Sequence, residues 1–108
     1  MKVFIILCKV HALTNAVMPT SIPKAFVNCY THASSYEEAV KKVLNKLTDD
    51  GIYLDDIESP IYEMPVENWE IQIKEQYKNL SPQMLTQSEF ESAIAEDKVV
   101  YGIFGGFN

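Results

Sequence analysis

The chain has 108 residues, 47% of them apolar and 22% charged, with a formal net charge of −6. That is the make-up of a single folded domain, residues 1–108, with one modest core, and it excludes a disordered segment. All nine basic residues are Lys; an acidic chain without Arg is poorly equipped to grip phosphate, which speaks against nucleic acid and against anionic membrane surfaces as partners.

Lys2 followed by Val3-Phe4-Ile5-Ile6-Leu7-Cys8 resembles the start of an export signal, but the apolar run stops after six residues at Lys9, short of the ~7–15 of an export core. No other run approaches the ~18 apolar residues of a membrane helix. The segment reads instead as a strand, Val3 to Ala12. Phe4, Ile6, Cys8, Val10 and Ala12 form one face. Val3, Ile5 and Leu7 form the other, which turns polar at Lys9 and His11, as in an inner strand whose second face is partly covered. Leu13 to Lys24, with Asn15, Pro19 and Pro23, reads as a loop, and Ala25 to Ala33 as a second strand. A centred loop sets Cys8 opposite Cys29. Both cysteines lie in apolar runs and read as reduced thiols of a cytoplasmic protein.

Ser35 and Glu38 form a capping box that opens a helix, Ala39, Val40, Val43, Leu44 and Leu47 give it one buried stripe, and Gly51 ends it in the left-handed position. Ile52 to Glu58 is a third strand, broken at Ser59-Pro60. Val66, Trp69, Ile73, Tyr77 and Leu80 recur at helical spacing, with a stop at Ser81-Pro82. Ser88 and Glu91 suggest a second capping box and a short helix, and Lys98 to Phe104 a last strand, whose Gly102 predicts a bulge or a close approach. The order β-β-α-β-α-α-β predicts an α+β fold: a four-stranded, mostly antiparallel sheet with helices on one face, loosely like a ferredoxin-type sandwich.

The charge is unevenly spread. Between Leu47 and Ile73 lie eight carboxylates and no Lys. They stand among Tyr53, Tyr62 and Trp69. Exposed aromatics beside carboxylates resemble the anchors and steering charges of a protein interface. The site expected for a basic partner protein comprises Asp49, Asp50, Tyr53, Asp55, Asp56, Glu58, Tyr62 and Glu63. Strand alternation, however, sends Asp55 to the opposite face from Asp56.

No pattern here carries catalysis or a cofactor. Cys8-Lys9-Val10-His11 and Cys29-Tyr30-Thr31-His32 hold a full zinc set, but residues three apart on a strand point to opposite faces. Asp55-Asp56-Ile57-Glu58 lacks the spacing and the glycine of a calcium loop. The glycines at 102, 105 and 106 precede no helix that could bind phosphate. Binding is therefore favoured over catalysis, with no metal and no cofactor.

In size, charge and lack of catalytic residues the chain resembles the bacterial immunity proteins that neutralise toxins, many of them nucleases with basic clefts. The resemblance covers no motif; it implies a toxin domain as the basic partner. Two other classes remain. A small ferredoxin-like enzyme or ligand-binding domain would pair His11 or His32 with a carboxylate, or use the sheet face at Asn28, Tyr30 and His11. A homodimeric structural module would join through Ile5, Leu7, Phe26 and Tyr30.

Overall fold

The structure, a computed structural model, describes residues 1–13, 24–77 and 84–106. Most of the expected first loop and the expected stop at Ser81-Pro82 lie outside the described residues. Strand β1 (Lys2–Ala12) is rich in β-branched and aromatic residues and takes the centre of the sheet. It pairs antiparallel with β2 (Lys24–Thr31) on one side and with the long β3 (Ile52–Pro65) on the other. Two short pieces, β4 (Val100–Tyr101) and β5 (Gly105–Gly106), both pair with β2. The result is the antiparallel α+β fold that the sequence predicts, with the strand path β3-β1-β2-β4.

Three details differ from expectation. Cys8 lies opposite Val27, and Cys29 opposite Ile6, so the hairpin is offset by two residues from the centred pairing. β3 does not end at Ser59-Pro60 but runs through that cis peptide to Pro65. Proline is tolerated there because β3 is an edge strand, and a register shift falls between its partners Ile5 and Leu7. The last strand is interrupted over residues 102–104, where the backbone N–H of Gly102 still donates to the Asn28 carbonyl at 2.7 Å.

The helices are not on one face. Helix α1 (Tyr36–Asp49) covers Phe4, Ile6, Cys8 and Val10 of β1 with Ala39, Val43 and Leu47. Helices α2 (Trp69–Tyr77) and α3 (Gln87–Ala95) build a second core on the opposite face, around Val3, Ile5 and Tyr30. The reason is in β1 itself. Its first half is apolar on both faces, and a central strand of that kind needs cover on both. This is where the chain departs from a two-layer ferredoxin-type sandwich.

Local signals set the helix ends. Ser35 Oγ accepts the Glu38 N–H at 3.2 Å, while the Glu38 carboxylate turns to Ser34, so the first box is half made. Gly51 follows α1 at φ 73°. The second box belongs to Thr86 and Glu89, not Ser88 and Glu91, and α3 starts accordingly earlier. A 3₁₀ turn, Val66–Asn68, leads into α2. Trp69 stacks on Phe90 with centroids 4.0 Å apart and meets Tyr30 edge-on at 5.0 Å. Its indole N–H donates to the Leu85 carbonyl at 2.9 Å. Burying a ring of this size contributes about 4–6 kcal/mol at most, so Trp69 anchors the second layer.

Candidate functional site: the acidic edge strand

The second layer stops short. Val3 and Ile5 lie buried beneath α2 and α3, but Leu7, Lys9 and His11, further along the same face of β1, are only half-buried. β3 borders this open half, and its register decides which side chains face it. Leu7 pairs with Glu58, Lys9 with Asp56 and His11 with Tyr53, whereas Val10 pairs with Leu54. Asp55 is therefore an extra residue, a β-bulge. A bulge breaks the alternation. Asp55 accordingly reaches His11, whose Nδ1 donates to both carboxylate oxygens at 2.9 Å. His11 lies on the open face, so Asp55 does too, beside Asp56. The expected separation of Asp55 from Asp56 is overturned by this one inserted residue.

Tyr53, Asp55, Asp56, Glu58 and Tyr62 thus share the open face. The Tyr53 and His11 rings lie 4.9 Å apart, tilted by 31°. Tyr53 and Tyr62 are 53% and 62% exposed, more than a core role allows. Lys9 stands opposite Asp56, so the strip keeps a net negative charge with one cation at its border. The exposed carboxylates of the strip repel one another only weakly in water, by about 1 kcal/mol or less per pair.

The other three expected residues lie elsewhere. Glu63 pairs with Phe4 and so belongs to the α1 side. Asp49 is exposed near the end of α1. Asp50 caps α1 and is engaged there: Tyr101 Oη donates to it at 2.6 Å and Lys46 Nζ lies 3.2 Å away. Burial, then Asp50 itself, push the Tyr101 phenol up from its ordinary value.

Beside the strip the sheet dips into a hollow of about 520 Å³ between β3 and α2, lined by Ile5, Leu7, Asn28, Glu58, Tyr62 and Gln72 among others. A polar network forms its floor. Tyr30 Oη and Tyr77 Oη are 3.1 Å apart; Asn28 donates to Tyr77 and Gln72 to Tyr30, each at 3.4 Å. Burial, then the neighbouring Tyr77, raise the Tyr30 phenol well above its usual range. The sequence singles out Asn28 and Tyr30 but not Gln72, and it shows Tyr77 only as part of a helical repeat with Trp69 and Ile73. The close approach predicted at Gly102 is real: a Cβ there would stand 2.1 Å from the Tyr77 hydroxyl.

The zinc pattern divides as alternation requires. Cys8 and Cys29 are buried on the α1 side, while His11 sits across the sheet and His32 Nδ1 donates to the Lys2 carbonyl at 2.6 Å. A hydrogen bond with Cys8, then burial, push the Cys29 thiol up. Among the described residues no three His, Cys, Asp or Glu side chains gather as a metal set, and no helix is long and apolar enough to cross a membrane. Of the four side chains of the homodimer reading, Ile5 and Tyr30 are buried under α2 and α3. Compared with protein-family models, with curated proteins and with solved structures, the chain matches none of them.

Proposed function

We propose that the protein is a binding module that docks on a basic partner protein through the open face of β3. The finer form of this reading is an immunity-type protein that covers the basic surface of a bacterial toxin, such as a nuclease. One observation carries it: the bulge at Asp55, which joins Asp55 to Asp56 and Glu58 between two exposed tyrosines. Carboxylates so placed speed encounter with a basic surface, and exposed aromatic rings supply contact area once it arrives.

The test is charge reversal. Asp55→Lys with Asp56→Lys should weaken binding to a captured basic partner about tenfold or more. Glu37→Lys with Glu67→Lys makes the same charge change at exposed positions away from the strip and should leave affinity within about twofold. Equal losses from the two pairs would sink the reading. Binding that survives about 1 M salt, where the screening length is ~3 Å, would also count against it.

A second reading has one observation of its own, the His11–Asp55 contact. In an acid/base site Asp55 would orient the imidazole. That reading requires His11→Ala to abolish a turnover; the docking reading predicts only a modest change in affinity.

A further inference from the structure

The hollow beside the strip has a chemistry of its own. Asn28 and Gln72 both spend an amide N–H on the buried phenols of Tyr77 and Tyr30. Among the described residues nothing donates to Asn28 Oδ1 or Gln72 Oε1, and the half-buried Glu58 carboxylate has no hydrogen-bond or ion-pair partner. The hollow thus offers acceptors in Asn28 Oδ1, Gln72 Oε1 and the Glu58 carboxylate, beside the second amide N–H of Asn28 and of Gln72. Ile5, Leu7 and Met64 supply an apolar part of the lining, Ser59, Pro60, Glu63 and Gln76 complete it, and the exposed Tyr62 ring stands at the mouth. The volume of about 520 Å³ is that of a ligand pocket, open rather than enclosed.

We propose that this hollow seats an arginine side chain of the basic partner. A guanidinium carries five donors and no acceptor, which is the complement of Glu58 with two amide oxygens. Its flat face stacks on an aromatic ring such as Tyr62, and its aliphatic stem suits Ile5, Leu7 and Met64. An ammonium would satisfy the charge but neither the plane nor the fork. The inference rests on the docking reading and deepens it: the strip attracts the partner, and the hollow holds one side chain of it.

The probe is N-acetyl-arginine N-methylamide, titrated into the full chain and followed by amide NMR. Saturable shifts are expected at the side-chain amides of Asn28 and Gln72 and at the backbone of Leu7 and Glu58. Glu58→Gln should weaken the dissociation constant about tenfold, whereas Glu37→Gln should leave it unchanged. The lysine analogue should bind several-fold more weakly, and the citrulline analogue, isosteric and uncharged, should not saturate. An arginine probe that Glu58→Gln leaves unaffected, or a lysine or citrulline analogue that binds as tightly, overturns the assignment. A partner that depends on Asp55 and Asp56 but ignores Glu58→Gln removes the hollow and leaves the docking surface standing. An arginine probe that binds where no basic protein does makes the occupant a free guanidino compound, and overturns the partner side chain.

Discussion

Gly102→Ala places a methyl group where the Tyr77 hydroxyl already stands. A Cβ at that position lies 2.1 Å from Tyr77 Oη, 3.0 Å from its Cζ and 3.4 Å from the Asn28 carbonyl oxygen. The hydroxyl is tied to Tyr30 Oη at 3.1 Å and receives the Asn28 amide, so it cannot move without breaking the floor of the hollow. The expected cost is that of overpacking, about 1–3 kcal/mol. Tyr77→Phe removes the obstructing atom and loses two partly buried hydrogen bonds, to Tyr30 and from Asn28, about 1–3 kcal/mol together. In that background the added methyl meets the ring carbon at 3.0 Å and the Asn28 carbonyl oxygen at 3.4 Å. It also restricts the unfolded chain, which is worth about 0.4–1 kcal/mol. Gly102→Ala should then cost about 1 kcal/mol or less, and the double mutant should be more stable than the sum of the singles by about 1–2 kcal/mol. Urea unfolding followed by the fluorescence of Trp69, the only tryptophan, measures all four variants. Single mutants that add within about 0.5 kcal/mol would show that the two positions do not touch.

Two further outcomes follow from titratable groups. The folded chain holds the Tyr30 phenol protonated above its ordinary pKa of ~10, through burial and then Tyr77. That stabilisation is complete below about pH 10 and declines by about 1.4 kcal/mol per pH unit above it, as the unfolded chain releases a proton the folded chain keeps. Tyr30→Phe should flatten this alkaline slope in urea titrations at about pH 9 and about pH 11; an unchanged slope refutes the role of Tyr30. At the other end of the scale, the Thr86 backbone N–H, then its hydroxyl, hold the Glu89 carboxyl below the usual glutamate range. The stabilisation is present above a pH of about 4.3 and is lost as pH falls through the lowered value. Thr86→Ala should cost about 1 kcal/mol at neutral pH. Glu89→Gln should make stability less dependent on pH in the acid range, and an acid limb identical to the parent's would refute the box.

The elements with local causes were legible in the sequence. The alternation of Phe4, Ile6, Cys8 and Val10, the stripe of Ala39, Val43 and Leu47, and Gly51 each carry their reason within a few residues. Features set by distant pairing were harder. The offset of Cys8 from Cys29 depends on how the hairpin closes, which neither strand states alone. The bulge did leave a trace. Ile52, Leu54, Ile57 and Ile61 all pack toward α1, at spacings of two, three and four. A strand can keep Leu54 and Ile57 on one side only by inserting a residue between them, whereas the spacing of four from Ile57 to Ile61 fits plain alternation and gives no sign of the second register shift. Reading Ile52 to Glu58 as a regular strand hid the inserted residue, and with it the union of Asp55 and Asp56. Asp50 was misjudged for a different reason: its role as a cap and its bond to Tyr101 depend on where the last strand returns.

The half-covered sheet face has a consequence for how the protein can change. Cys8 and Val10 of β1 and Ile52 of β3 are packed beneath α1, with Leu54, Ile57 and Ile61 against them, so the strands that bear the strip are held from behind. Substitutions at exposed positions such as Tyr53, Asp56 or Tyr62 therefore alter what the surface meets while costing little stability, typically within ±0.5 kcal/mol. Rigid support and variable display are carried by opposite faces of the same strands. A lineage could retarget such a plank to new partners by exchanging outward-facing residues, without rebuilding the core that holds it flat.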